Sequence, residues 1–492
     1  MRKDARTLEL VLDRDAETPL WRQLYHGLRR RILEGRLPLG SRLPSTRILA
    51  GELGISRNTV LTAYDQLVAE GYLEGKRGAG TRVALDIPLR EFRERSARRP
   101  SSRAPPRLST RCQAVLGLPR AIPSLAGTRL AFAVGVPALD AFPVNLWGRL
   151  ARRAGTRLAA RTRDGLDPAG YYPLREAITN HLAAARGIIC GPEQIVVVQG
   201  IQHALFIASH ALLDPGEVAC VEDPGYPGVW GALSAAGLRI VPVPVDREGI
   251  DVEDIKALPQ PPRAIFVSPS HQFPLGIRMS LARRLALLTL AEESGAWIVE
   301  DDYDSEFRYR GQPVMALRAL DEGSRVIYVG GFSKTIAPTL RVGYAVLPDP
   351  LVEPFLSFRL RTDLHPPLLE QLVLAEFMSG GHFARHLRAM RRLYAERRDH
   401  LVYAAGRQLS RLLELQPDDT GLRLVGYLPD GVDDRRAAAA AEREGVETLP
   451  LSRFYRNGPA QHGLVLGFAA TDERAIGTGV ERLARALQSL SR

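Results

Sequence analysis

From residue 125 onward, short apolar runs alternate with longer segments of helical periodicity. The runs are rich in Val and Ile, which favour buried β-strands. They cover residues 194–198, 217–221, 239–243, 264–267, 296–300 and 326–330. Strands separated by helices predict an α/β fold in which helices cover both faces of one sheet.

Polar residues stand where the predicted strands end. Asp301 and Tyr303 follow the run at 296–300, Lys334 follows the next run, and Arg341 comes seven residues later. Ligands of such sheets bind at strand ends. These three kinds of group suit pyridoxal phosphate. An amine can react with its aldehyde, a carboxylate can hold its ring nitrogen protonated, and a guanidinium can bind its phosphate. Alone, Lys-Thr at 334–335 is typical of a helix start, and Asp-Asp-Tyr-Asp at 301–304 is typical of a polar loop or a metal site. The glycines of a Walker loop are missing before Lys334.

The first 85 residues have a different pattern, which predicts three helices. Apolar residues at helical spacing indicate a helix over residues 20–33. Ser45 and Ser56 are suitable caps for two further helices, the first ending at Gly54 and the second covering residues 57–70. This order predicts a helix-turn-helix, whose last helix places its N-terminal residues in the major groove of DNA.

Those N-terminal residues are Arg57, Asn58 and Thr59. Residues 72–83 then indicate two short strands around a glycine-rich basic tip that includes Gly80, which is the pattern of a wing. A formal net charge of +11 is compatible with nucleic-acid binding. The alternative is a surface helical hairpin whose arginines are simply solvated.

Composition divides the chain into a head at residues 1–85, a linker at 86–125 and a body at 126–492. Eight arginines stand among Ser and Pro between residues 90 and 111, which predicts an extended linker. Its charges are either solvated or add contacts to DNA phosphates. The three cysteines lack the spacing of a metal or redox motif, so we expect reduced thiols, a cytoplasmic location and no metal site. No membrane span is expected.

Two motifs of the head are specific: Leu-Pro-Ser-x-Arg-x-Leu-Ala at residues 43–50 and Ser-Arg-Asn-Thr-Val at residues 56–60. With them the head resembles the winged helix of GntR-type bacterial transcription regulators. The resemblance implies a DNA-binding surface on operator DNA. Its expected members are Arg47, Arg57, Asn58 and Thr59, with Ser45 and Ser56 orienting them and Gly80 in the wing.

The body carries further motifs in order, Gly-Val-Pro at 135–137, Asp-Pro-Ala-Gly at 167–170 and Ser-Pro-Ser-His-Gln-Phe-Pro-Leu-Gly at 268–276. Together with the strand-end residues, they resemble the aspartate-aminotransferase fold, fold type I, in the regulator-fused form called the MocR subfamily of GntR proteins. The resemblance implies pyridoxal 5'-phosphate as cofactor. Its expected ligands are Lys334 through a Schiff base, Asp301 at the ring nitrogen, Tyr303 at the phenolic oxygen, Arg341 at the phosphate, Gly200, Ile201 and Gln202 in the phosphate cup, Tyr226 over the ring, and Ser333 beside the lysine.

The chain departs from the family pattern in two places. Gly331 stands where a Ser or Thr usually contacts the phosphate, and His462 and Gly463 stand where aminotransferases have an arginine for the substrate carboxylate. Either another arginine replaces it or the effector lacks an ordinary carboxylate. The candidate arginines are Arg423, Arg453 and Arg456.

The residue patterns and the resemblance together imply a pyridoxal-phosphate-dependent transcription regulator that senses a small amino compound at Lys334. The candidates that the resemblance implies for this compound are taurine, γ-aminobutyrate or another ω-amino acid. The expected partners are operator DNA, the effector, a second copy of the chain in a domain-swapped homodimer and, for an activator, RNA polymerase. Two alternatives stay open. One is an active aminotransferase with an accessory DNA-binding head, and the other is a repressor whose body no longer binds the cofactor.

Overall fold

The structure is a computed structural model that describes residues 10–76, 80–87, 107–118, 130–163, 166–312, 314–458 and 460–490. Its contacts divide the chain into two compact units, Met1–Arg107 and Leu108–Arg492. Each unit has its own hydrophobic core. Within the described residues, no helix is long and apolar enough to cross a membrane.

The described part of the N-terminal unit consists of three helices and an antiparallel hairpin. Its elements are α1 Leu20–Leu33, α2 Thr46–Leu53, α3 Arg57–Ala69, β1 Leu73–Lys76 and β2 Gly80–Val83. Both predicted caps begin their helices, because Ser45 Oγ accepts the Ile48 N–H at 3.3 Å and Ser56 Oγ accepts the Thr59 N–H at 3.1 Å. The winged helix-turn-helix fold is thus confirmed. The wing tip at 77–79 lies outside the described residues.

The larger unit alternates helices with strands. Its helices are α4 Thr110–Leu116, α5 Val144–Arg163, α6 Tyr172–Arg186, α7 Ile201–Leu212, α8 Pro227–Ala236, α9 Val252–Lys256, α10 Leu281–Ser294, α11 Asp349–Arg359, α12 Leu368–Ser379, α13 His382–Gln408, α14 Asp434–Arg443 and α15 Glu473–Gln488. Its strands are β3 Ile195–Val198, β4 Val218–Asp223, β5 Arg239–Asp246, β6 Gly249–Ile250, β7 Ala264–Val267, β8 Trp297–Asp302, β9 Val326–Gly331, β10 Gly343–Val346, β11 Glu414–Gln416, β12 Arg423–Tyr427, β13 Leu449–Pro450 and β14 Gly463–Gly467.

The large sheet contains each strand predicted from the apolar runs. In the described residues its order is β3-β10-β9-β8-β7-β4-β5-β6. The strands β9, β8, β7, β4 and β5 are parallel, whereas β10 runs antiparallel to both β3 and β9. Because β3 therefore points the same way as β9, the carboxyl ends of β3, β4, β7, β8 and β9 share one edge of the sheet.

Helices cover both faces of this sheet, as the alternation predicts. Val196 and Val198 of β3 pack with α7 and α8 on one face. Ile195 and Val197 point to the opposite face, where they pack with α6. Successive strand residues face opposite sides, so both faces of β3 must be apolar.

A second sheet was not predicted from the sequence. In the described residues it has the antiparallel order β11-β12-β14-β13. Its strand β14 approaches the segment 131–135 so closely that a Cβ at Gly467 would overlap the carbonyl oxygen of Ala133. The Gly467 N–H also donates to the Phe132 carbonyl at 2.9 Å. This small sheet is thus fixed to the segment that leads into Gly135.

Part of the predicted linker is a helix. Residues 110–116 form α4, which is capped by Ser109 and packs on α8, so this part of the 86–125 prediction needs correction. Ser109 Oγ accepts the Cys112 N–H at 3.2 Å, a local cap that the arginine-rich composition hides. Residues 88–106 and 119–129 lie outside the described residues.

Candidate functional site

Lys334 lies in the turn after β9, at the shared edge of the large sheet. Its Nζ donates a hydrogen bond to the Gly135 carbonyl at 2.7 Å. Burial lowers the pKa of Lys334 to about 8; Asp304 and Asp301 oppose this effect and the Arg423 guanidinium adds to it. A lysine with such a pKa has a useful fraction of neutral, nucleophilic amine near neutral pH.

Asp301 stands one strand away, at the end of β8. Burial, reinforced by Asp302 and Asp304, raises the pKa of Asp301 to about 8. A charged Asp301 at neutral pH therefore requires a cationic neighbour. Its Oδ1 is buried without a hydrogen-bond partner in the described residues.

Asp301 and Tyr226 line the same small cavity, together with Glu222 and Ser268. Burial raises the pKa of Glu222 to about 8, and the charge of Asp301 contributes to this. The unpartnered Asp301 Oδ1 could accept a hydrogen bond from a protonated ring nitrogen, and the Tyr226 ring could stack on the same ligand ring. The residues present therefore fit the pyridine ring of pyridoxal phosphate.

The predicted phosphate cup lies at the N-terminus of α7. Gly200 precedes the helix with φ 85°, and helix N-termini bind anions through their free N–H groups. Arg341 Nη2 donates to the Gln199 carbonyl at 2.8 Å, and a Cβ on Gly200 would lie 3.3 Å from the same Nη2. The guanidinium and the helix start thus form one cationic surface.

The remaining members of the cup have structural contacts. Gln202 Nε2 donates to the Gly228 carbonyl at 2.8 Å, which ties α7 to the segment after Tyr226. A Cβ at Gly331 would lie 3.4 Å from Ile201 Cγ1, so Ile201 covers the position where the family usually has a hydroxyl. Ser333 directly precedes Lys334 in the turn.

Tyr303 has a different contact from the one implied by the resemblance. Its hydroxyl donates to the main-chain carbonyl of His271 at 2.7 Å. Binding the phenolic oxygen of the cofactor would require the hydroxyl to leave this acceptor, because it has one proton to donate.

A charged network that the sequence did not predict lies behind Tyr303. His271 is buried between two carboxylates, with Nδ1 2.8 Å from Asp304 Oδ1 and Nε2 2.8 Å from Asp418 Oδ2. Burial alone would lower the pKa of His271, but Asp304 and both hydrogen bonds raise it to about 9. Arg423 Nη1 lies 3.5 Å from Asp304 Oδ2. His271 and Asp418 are 147 residues apart, so no local motif signals this contact.

The N-terminal unit presents the predicted DNA-contacting residues on its surface. Arg47, Arg57 and Asn58 are exposed. Arg57 Nε donates to Thr46 Oγ1 at 3.4 Å, and the Thr59 and Ser56 hydroxyls are 2.8 Å apart. These contacts fix the start of α3, the end that a helix-turn-helix inserts into DNA.

Gly80 begins the second strand of the wing. A Cβ there would lie 2.9 Å from the Arg42 Nε, so the absence of a side chain lets Arg42 pack on the strand. The predicted approach of Gly80 to the minor groove stays a prediction.

Comparisons with known proteins agree with both halves of this description. Residues 20–83 match the family of bacterial regulatory proteins named gntR, and residues 129–483 match aminotransferase class I and II. The chain is 44% identical over 484 residues to the probable rhizopine catabolism regulatory protein MocR of Rhizobium meliloti, covering 98% of this chain and 96% of the relative. The chain belongs to the MocR subfamily of GntR-type regulators. Its larger unit has the fold type I architecture of a family whose cofactor is pyridoxal 5'-phosphate.

Other MocR-type relatives and solved structures are similar along most of the chain. PdxR of Corynebacterium glutamicum, a pyridoxine biosynthesis regulator, is 33% identical over 95% of this chain and 96% of its own length. TauR of Rhodobacter capsulatus is 33% identical over 93% and 94%. The Pyrococcus horikoshii kynurenine aminotransferase structure matches with a TM-score of 0.68 and 28% identity, covering 74% of this chain and 92% of that one. The structure of LysN, the α-aminoadipate aminotransferase of Thermus thermophilus, matches with a TM-score of 0.67 and 29% identity, covering 78% of this chain and 95% of that one.

Proposed function

We propose that this MocR-type regulator senses a small amino compound at Lys334 and responds by changing how its heads bind operator DNA. The observation that carries the proposal is that a nucleophilic lysine follows one strand and a buried carboxylate ends its neighbour at the same sheet edge, and that Oδ1 of this carboxylate has no hydrogen-bond partner among the described residues. When bound, pyridoxal phosphate supplies an aldehyde that condenses with primary amines.

Each surrounding residue has a separate task toward the cofactor in this proposal. Lys334 holds it through Nζ, and the Asp301 carboxylate accepts a hydrogen bond from the protonated ring nitrogen and so keeps it protonated. Arg341 and the α7 N-terminus at Gly200 bind the phosphate. Tyr226 covers the ring and excludes water from it.

With pyridoxal phosphate bound, the amine of an effector would compete with Lys334 for the cofactor aldehyde. The released Nζ is free to hydrogen-bond the Gly135 carbonyl, as in the described structure. Gly135 lies on the segment that packs against β14 at Gly467. In this proposal, making or breaking the hydrogen bond between Lys334 Nζ and the Gly135 carbonyl therefore shifts the small sheet. An effector shifts the protein between two states only by binding one of them more tightly.

The proposed regulator acts as a homodimer with swapped domains on operator DNA, with the exposed Arg47, Arg57 and Asn58 at the DNA. A dimer places two heads on paired half-sites. If it activates transcription, RNA polymerase is a further partner. Arginine contacts to phosphates make the affinity fall with salt.

Arg456 is the arginine that we assign to an acid group of the effector. Arg423 already donates to the Gln272 carbonyl at 2.9 Å and to the Pro274 carbonyl at 3.2 Å. Arg456 instead stacks on Trp230, with its guanidinium carbon 5.1 Å from the ring centroid. Among the described residues, Arg456 Nε and Trp230 Nε1 are both buried donors without an acceptor. Trp230 lines the cavity of Asp301 and Tyr226, so an acid group between these donors would belong to the same site.

The first test is the visible absorbance spectrum of the purified protein with pyridoxal phosphate, titrated with amines. Lys334→Ala should remove the absorbance band that depends on the Schiff base with the lysine, and the response to amines, while the dimer persists. A variant that still responded fully would contradict sensing at Lys334. Conversion of the bound cofactor to its amine form, with release of a carbonyl product, would favour an active aminotransferase.

The second test compares amines with and without an acid group. Taurine and γ-aminobutyrate are compared with propylamine, and with rhizopine because of the Rhizobium relative's name. Arg456→Gln should weaken the response to the two acids about tenfold or more and leave the propylamine response unchanged, because a charge-assisted contact contributes about 1.5–3 kcal/mol. The control is Arg411→Gln at an exposed position. Equal losses for all amines, or a response to rhizopine alone, would argue against the assignment of Arg456.

A further inference from the structure

The outer face of α3 carries an exposed apolar side chain among the groups that read DNA. Leu61 is 43% exposed, although it lies one turn from Arg57 and Asn58. The inward face of α3 is complete without it, because Val60, Ala63, Tyr64 and Leu67 are the buried residues of the helix. Leu61 therefore has no role in the core of the N-terminal unit.

The direction of a helical side chain places Leu61 close to the start of α3. Side chains on a helix lean toward its N-terminus and cover the preceding turn. The neighbours of Leu61 at i−4 and i−3 are Arg57 and Asn58, both exposed. Its isobutyl group thus adjoins the two side chains that the helix-turn-helix geometry places at base edges.

The hydroxyl groups on this part of α3 are already used. Thr62 Oγ1 donates to the Asn58 carbonyl at 2.9 Å, and the Thr59 hydroxyl pairs with Ser56 at 2.8 Å. The side chains at the start of α3 that make no such internal contact through a hydroxyl are a guanidinium, a carboxamide and the apolar Leu61. In the major groove the apolar feature of a base pair is the thymine C5-methyl group.

We infer that Leu61 is a specificity-determining residue that recognises the C5-methyl group of a thymine in each operator half-site. Arg57 and Asn58 read the neighbouring bases through hydrogen bonds, for which guanine and adenine are the matching partners. The inference rests on the proposed DNA-binding function and adds one base to its recognition.

The test removes the contact between Leu61 and the thymine methyl group in two ways, by changing the DNA and by changing the protein. An operator is first selected from random duplex DNA with the full-length protein. Each thymine of the selected duplex is then replaced in turn by deoxyuridine, which lacks only the methyl group. Binding to each duplex is measured for the wild type, for Leu61→Ala and for Val68→Ala, the control at a residue on α3 that is 41% exposed and lies two turns further from the N-terminus.

The wild type and Val68→Ala should lose about fourfold in affinity at one thymine of each half-site, the value expected for one buried methyl group. Leu61→Ala should bind the thymine and uracil duplexes equally well at that position, with an unchanged dependence on salt. The inference is overturned if no thymine is sensitive in the wild type or if Leu61→Ala keeps the same sensitivity. A wild type that selects no sequence at all would instead overturn the proposed regulatory function.

Discussion

Replacing His271 by Gln tests whether His271 is protonated, and so positively charged, between the carboxylates of Asp304 and Asp418. The folded-state pKa of His271 is about 9, compared with an ordinary value of 6.5. Because the folded value is the higher one, its stabilising effect is complete below pH 6.5 and is lost as the pH rises through 9. At about 1.4 kcal/mol for each pH unit, the gap corresponds to about 3 kcal/mol of unfolding free energy.

Urea unfolding of the wild type and His271→Gln, followed by tryptophan fluorescence at pH 6.5 and 9.5, measures this contribution. The stability advantage of the wild type over His271→Gln should shrink by about 3 kcal/mol between the two pH values. Burial opposes ionisation of Asp418, but the hydrogen bond and charge of His271 hold the pKa of Asp418 below its ordinary value, so this carboxylate stays charged over this range while His271 loses its proton. His400→Gln on the helix α13 is the control, because no hydrogen bond or ion pair joins His400 to His271, Asp304 or Asp418 in the described residues. An advantage that stays constant or grows with pH would refute a protonated His271.

Three further predictions concern the start of α3, the phosphate cup and the lysine. Ser56→Ala removes the cap of α3 and should lower the stability of the N-terminal unit by about 1 kcal/mol in thermal unfolding, whereas Ser56→Asp should retain most of it; equal losses would exclude a capping role. Gly200→Ala places a methyl group against Arg341 at a backbone φ of 85°, and it should weaken cofactor binding at least tenfold in an equilibrium titration. The control is Gly216→Ala, because Gly216 also has a positive φ but has open space around it. The rate at which the cofactor-free protein takes up pyridoxal phosphate should rise with pH, reach half its maximum at about 8, the pKa of Lys334, and level off at higher pH. A rate that falls across this range would contradict a neutral amine as nucleophile.

Local patterns were sufficient to predict six of the eight described strands of the large sheet and the residues at its edge, but not β6 or the antiparallel β10. The apolar runs predicted β3, β4, β5, β7, β8 and β9 to within a few residues. Asp301 and Lys334 could be placed together because parallel neighbouring strands end at the same edge. Their joint cofactor role stays a prediction.

Other features depend on contacts between distant segments and have no local pattern. The strand β13 is only Leu449–Pro450, too short for alternation to indicate a strand, and it exists because it pairs with β14. The Gly135 carbonyl is main chain, so its hydrogen bond to Lys334 leaves no mark on residue type. The helix α4 is similarly hidden, since its start depends on one serine in an arginine-rich stretch.

The close approach at Gly467 limits how this protein can change by mutation. Any side chain at that position would displace Ala133. Gly135, whose carbonyl accepts the hydrogen bond from Lys334, lies two residues after Ala133 and would move with it. A Cβ at Gly135 would itself come within 2.6 Å of Lys334 Nζ. We therefore expect libraries of random variants selected for a working regulator to accept almost nothing at either glycine. Changes of effector preference should instead accumulate at Trp230 and Arg456, where substitution leaves the backbone around the lysine intact.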